Sequence, residues 1–176
     1  MQVSSGEIAS LISMVAFVVT AIIVTLQLAD MKRMRNVEIS LKLFEWGESE
    51  RVQRAIRFIT RRFHFQKEKY DDYRLQYEGK PEFEEYPQTV TSFFEHAGML
   101  VTKKLVDMDV VVDHLGYQTI TCWEKLEPLI IRWRQDHQNP SIGEHFEELY
   151  HITREYYRKT YKLRYPPKEG EAVGME

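Results

Sequence analysis

Three glutamates and two histidines crowd into one short stretch: Glu144, His145, Glu147, Glu148 and His151. Glu148 and His151 stand three residues apart, which puts a carboxylate and an imidazole on one face of a helix. Helical di-iron sites use two such Glu-x-x-His pairs plus two further glutamates. The other histidines, His64, His96, His114, His137 and His145, follow Arg61, Phe93, Val111, Arg134 and Ile142 at that spacing. No second pair exists. Glu148 and His151 are therefore candidate metal ligands for a site shared between chains, not for a complete site in one chain.

Cys122 is the one cysteine. It allows no intramolecular disulfide, no CxxC zinc site and no iron–sulfur cluster held by this chain alone. Beside Trp123 in an apolar pattern it reads as a small core residue. The sequence has no GxxxxGKS/T, GxGxxG, GxSxG or HExxH motif. Its eight glycines are scattered, so no phosphate-cradling loop is expected. No catalytic residue and no cofactor is assigned, and a non-enzyme is the leading expectation. A net charge of −3 and a pI near 6.1 give no support to general nucleic-acid binding. Arg132, Trp133 and Arg134 form a candidate protein-interaction patch, since Trp and Arg dominate binding hot spots. The competing reading makes Trp123 and Trp133 core residues and the arginines solvated.

The elements that must position these groups are helical. Residues 8–29 contain no charge and are rich in Ile, Val, Leu and Phe. About 20 apolar residues suffice to cross a bilayer, and a core helix of that length would carry a charged face. A cleaved signal peptide would have a basic start and a small-residue cleavage site, which this stretch does not show. Residues 1–29 are thus expected to form an amino-terminal tail and a retained membrane helix. Lys32, Arg33 and Arg35 follow the run and no Lys or Arg precedes it. The positive flank belongs inside, so the amino terminus is expected outside and the rest in the cytoplasm, at the inner (plasma) membrane. Ala9, Ser13, Ala16, Thr20 and Gln27 share a helical face that another membrane helix could approach closely.

Residues 30–64 predict juxtamembrane helices, with a break at Gly47 and Ser49 as the next cap. The second is basic: Arg51, Arg54, Arg57, Arg61 and Arg62 fall within residues 51–62. Residues 30–66 hold nine Lys/Arg against five Asp/Glu, a net of +4. Lys32, Arg33, Arg35, Arg51, Arg54, Arg57 and Arg61 are candidates for contact with anionic headgroups or an anionic partner. The alternative is a solvated face paired with Glu38, Glu45, Glu48 and Glu50. Residues 65–88 reverse the balance, with seven acids and four bases from 67 to 88, a net of −3. They read as a charged, tyrosine-rich loop able to fold back onto the arginine-rich helix.

Residues 89–163 read as a compact helical domain. Pro87 predicts a helix start, with Val90, Phe94, Ala97 and Val101 at helical spacing. Asp107 predicts the cap of a short helix closed by Gly116. A kinked helix over 117–136 contains Pro128, and a last helix covers about 142–162, capped by Ser141. Residues 164–176 have no apolar pattern and read as a flexible tail. The fold class is all-α: one transmembrane helix followed by a cytoplasmic helical bundle.

Within this frame, residues 93–150 resemble a bacterial family of domains of unknown function. The resemblance rests on Phe94-Glu95 with Gly98, on Leu105-Val106-Asp107 and Gly116, on Trp123-Glu124 with Leu126 and Pro128, on Arg134, and on His145-Phe146-Glu147. It implies a membrane helix followed by an all-helical domain, and no activity. The expected function is an interaction, scaffold or accessory subunit at the inner membrane face. Its partners would be the bilayer and another membrane or cytoplasmic protein, or a second copy of itself. A nucleic-acid- or stress-sensing effector using Arg51 to Arg62, and an enzyme with an inter-chain metal site, are the alternatives.

Overall fold

The computed structural model describes residues 5–63 and 80–161, with the backbone alone at residues 5–12 and 81. Among these residues there are five helices and no strand: α1 (Ser5–Glu48), α2 (Glu50–Arg61), α3 (Pro81–Thr102), α4 (Met108–Asp136) and α5 (Glu144–Tyr161). The chain divides into two units, Met1–Glu38 and Ile39–Glu176.

The first unit takes in the apolar part of α1 and the charged turns that follow it, as far as Glu38. Met14, Phe17, Ile22, Leu26 and Leu28 are all exposed. Thr20 and Thr25 turn their hydroxyls back onto the carbonyls of Ala16 and Ala21, both at 2.8 Å. Those bonds satisfy polar atoms that an apolar solvent would leave stranded. Among the described residues one helix, over Ser13–Glu48, is long and apolar enough to cross a membrane.

The second unit has its own core. Helix α2 buries Val52, Ala55, Ile56 and Ile59, and α3 buries Val90, Phe93, Phe94 and Ala97. Helix α4 adds Ile120, Cys122, Trp123, Leu126 and Ile130, and α5 adds Phe146 and Leu149. Each set recurs every three or four residues, so each helix offers one apolar stripe inward. Aromatic rings fill the centre. Phe94 stacks on Phe146 at 4.8 Å between centroids, and Trp123 meets Phe146 edge-on at 5.0 Å. Helix α3 packs most heavily against α5 and next against α2.

Several expected boundaries move. The expected break at Gly47 moves by one residue, α1 running through Gly47 to Glu48. Ser49 takes the N-cap position of α2 as expected, but its hydroxyl bonds to the Trp46 carbonyl (2.6 Å) and makes no capping bond. Pro81, not Pro87, begins α3, and Pro87 lies buried inside that helix. Residues 81–88, expected as loop, are therefore helical. Gly116 does not end a helix. Helix α4 runs through it, and a Cβ there would sit 2.7 Å from the Tyr157 ring. Its bareness serves close packing of α5 on α4, not a cap. Helix α5 begins at Glu144 and ends at Tyr161, and Pro128 lies within α4. The expected loop at residues 65–79 and the expected tail at 164–176 lie outside the described residues.

Candidate functional site

The residues that carry chemistry divide into those used by the fold and those left over. Glu95 belongs to the first group. Its carboxylate accepts the backbone N–H of His145 at 3.2 Å and of Phe146 at 2.9 Å. Gly98, one turn further along α3, faces the same turn: a Cβ there would lie 2.0 Å from the His145 carbonyl oxygen. Arg134 closes the junction from α4. Its guanidinium donates to the Ile142 carbonyl and to the Glu147 carboxylate, each at 2.8 Å. Glu95, Gly98, Arg134 and the 145–147 turn thus form one clasp joining α3, α4 and α5.

The Glu/His cluster does not converge. The Glu148 carboxylate stands 3.6 Å from His145 Nδ1, and His151 is exposed beside the Tyr150 ring. Among the described residues no group of three or more His, Cys, Asp or Glu side chains is placed to hold a metal. Cys122 is buried, and burial pushes its thiol up to about 12, far from the thiolate a nucleophile needs. Burial likewise raises Glu124 and Tyr150, an effect opposed by Arg154, whose guanidinium donates to the Tyr150 hydroxyl at 2.8 Å.

The Arg132–Trp133–Arg134 patch splits three ways. Arg132 pairs with Asp136 at 3.0 Å on the surface, and Arg134 is the half-buried member of the clasp. Trp133 packs partly against the core and lines a cleft of about 380 Å³ with Thr91, His137 and Gly143. Gly143 sits there at φ +69°, a conformation glycine adopts without strain. The Thr91 hydroxyl is buried with no partner among the described residues.

The basic helix is α2. With its apolar stripe buried, the opposite half presents the arginines. Arg51 pairs with Glu85 of α3 at 2.7 Å, and Arg54 pairs with Glu50 and meets the Tyr86 hydroxyl. Both interactions, Glu50 first, hold the Arg54 guanidinium above its ordinary range. Part of the expected fold-back is therefore present, supplied by the first turns of α3. Arg57, Arg61 and Arg62 remain exposed. With Arg54, Phe58, Glu82 and Tyr86 they line a cleft of about 420 Å³. Arg62 and Tyr86 are additions to the contact residues expected from the sequence. Arg62 lies in the same basic run and was legible there, but Tyr86 reaches the cleft only through tertiary packing.

The remaining candidates lie on α1. Ser13, Ala16, Thr20 and Gln27 are exposed, as are Lys32, Arg33 and Arg35. The Ala9 side chain lies outside the described ones.

A family model for a domain of unknown function, DUF4760, matches residues 11–152. The chain belongs to this family. No curated protein and no solved structure matches the chain. The DUF4760 match takes in most of the apolar run of α1, all of α2 with its arginines, and every residue of the clasp. The clasp therefore gives the DUF4760 resemblance read from Glu95, Gly98, Arg134 and 145–147 a physical meaning. Those residues hold three helices together.

Proposed function

We propose that this DUF4760 chain is a single-pass membrane protein whose helical domain works in the cytoplasm as an interaction or accessory subunit. One observation carries the reading. The most apolar window of α1 is wholly unburied, while the second unit closes a core of its own. An apolar helix left uncovered among the described residues needs a bilayer or another protein as solvent. Lys32, Arg33 and Arg35, at the end of the apolar run, favour the cytoplasmic side for the helical domain. The amino terminus is then outside the inner (plasma) membrane. The acidic and basic groups of the clasp are spent on helix junctions, which favours a module that binds over one that turns over substrate. Ser13, Ala16, Thr20 and Gln27 offer a helix in the bilayer a close approach.

The test is gentle extraction of the tagged full chain from its own membranes, followed by native mass spectrometry. A second polypeptide at fixed stoichiometry is the expected result. A chain that emerges alone, with none of the proteins crosslinked to it in the intact membrane, overturns the accessory role.

A further inference from the structure

We propose that the cleft between α2 and α3 binds the phosphate of an anionic membrane lipid, held by Arg57, Arg61 and Arg62. The inference rests on the reading that α1 anchors the chain in a bilayer.

The charge pattern along α2 is uneven. Toward its amino end the cations are matched, Arg51 by Glu85 and Arg54 by Glu50 with Tyr86. Toward its carboxyl end Arg57, Arg61 and Arg62 have no acidic partner among the described residues, yet they crowd within six positions. Arg57 and Arg61 are four apart, a like-charged spacing that destabilises an isolated helix. Their charge suits the negative end of the helix dipole, but the last turn is already served: the Lys125 ammonium donates to the Thr60 carbonyl at 2.6 Å. Among the described residues the helix end therefore carries more positive charge than it requires.

That charge borders a shaped space. The cleft of about 420 Å³ has Arg54, Arg57, Arg61 and Arg62 on its wall, and Glu82 is the one carboxylate lining it among the described residues. Phe58 and Tyr86 supply an apolar side, their rings 5.3 Å apart. Guanidinium groups match phosphate oxygens with paired donors, and several of them recognise a phosphate better than one. An aromatic wall beside them suits a group whose phosphate carries carbon, as a lipid headgroup does. A chain tethered to a bilayer meets such headgroups at high effective concentration.

The full chain in uncharged detergent is titrated with soluble dihexanoyl-phosphatidylglycerol, dihexanoyl-phosphatidylcholine, inorganic phosphate and a single-stranded DNA 20-mer. Phosphatidylglycerol is expected to bind and phosphatidylcholine not to. The variant Arg57→Ala/Arg61→Ala/Arg62→Ala is expected to lose roughly a hundredfold in affinity, about 3 kcal/mol for three basic residues. Arg51→Ala, whose partner is Glu85, is expected to lose less than about threefold. All four arginines are exposed, and an unchanged melting temperature shows that the variants remain folded. Equal binding of the two lipids, or undiminished binding by the triple variant, overturns the site. Inorganic phosphate or DNA binding as tightly as the lipid overturns the lipid as its ligand. Titration reads the cleft and extraction reads the partner, so either proposal fails without the other.

Discussion

Glu95 and Phe146 are joined across two helices: the Glu95 carboxylate accepts the Phe146 backbone N–H at 2.9 Å. This bond completes the start of α5. A helix leaves its first N–H groups without intrahelical partners. Here Glu144 N–H reaches the Ser141 carbonyl and Glu147 N–H the Gly143 carbonyl, while His145 and Phe146 give theirs to Glu95. Glu95→Ala strands two part-buried donors and leaves the helix start uncapped. The expected cost is about 2 kcal/mol, with Glu95→Gln recovering part of it. Thermal unfolding of the full chain in detergent measures this. A melting temperature unmoved by Glu95→Ala would show that the cap contributes nothing.

Gly98 tests the same junction sterically. A Cβ at 98 would fall 2.0 Å from a backbone carbonyl, which cannot retreat without moving α5. At Gly47 the nearest obstacle is the Phe93 ring edge at 2.9 Å, which can turn. Gly98→Ala is expected to cost about 3 kcal/mol or more, and Gly47→Ala about 1 kcal/mol. Denaturant midpoints of the two variants decide it. Equal losses would mean that helix approach at Gly98 is not limiting.

Much of this fold was legible in the sequence, because the helices follow their apolar spacing. Val52, Ala55, Ile56 and Ile59 define α2 from residue types alone, and the structure buries them. Gly116 and Pro87 misled for a common reason. Both break helices in isolation, yet each is held inside one by packing that sequence spacing cannot display. The bareness of Gly116 is filled by Tyr157 from another helix. Pro87 removes one donor from α3 and is buried among neighbours that hold the helix. The arginine run was equally legible, but which arginines are matched was not. That depends on Glu85 and Tyr86, which sit on a helix the sequence pattern placed in a loop.

Arg132 and Arg134 make a matched pair for the next prediction. They lie two residues apart on α4 and differ in what they touch. Arg134 bonds a carbonyl and a carboxylate while partly buried, and Arg132 forms an exposed pair with Asp136. Arg134→Ala is expected to cost about 2 kcal/mol, and Arg132→Ala under about 0.5 kcal/mol. Chemical denaturation of both variants reads the difference. The reverse order would assign Arg132 a larger structural role than its pair with Asp136 gives it.

Cys122 carries the last prediction. Its side chain is fully buried and its thiol is pushed up to about 12 from an ordinary 9.0. In the native chain a maleimide should therefore react only as fast as the protein opens, and denaturant should release the full thiol signal. The pH dependence has a definite sign. The folded state holds its proton while the unfolded thiol ionises near pH 9, so the folded state binds more protons between the two values. Stability then falls as pH rises from about 9 toward 12, and the contribution is fully present below 9. Tyrosines and lysines titrate over the same range, so the comparison is with Cys122→Ala. That variant should lose core packing at every pH but show a shallower decline above about pH 9. Parallel curves for the two proteins would show that the thiol ionises alike in both states, and that Cys122 is accessible to water.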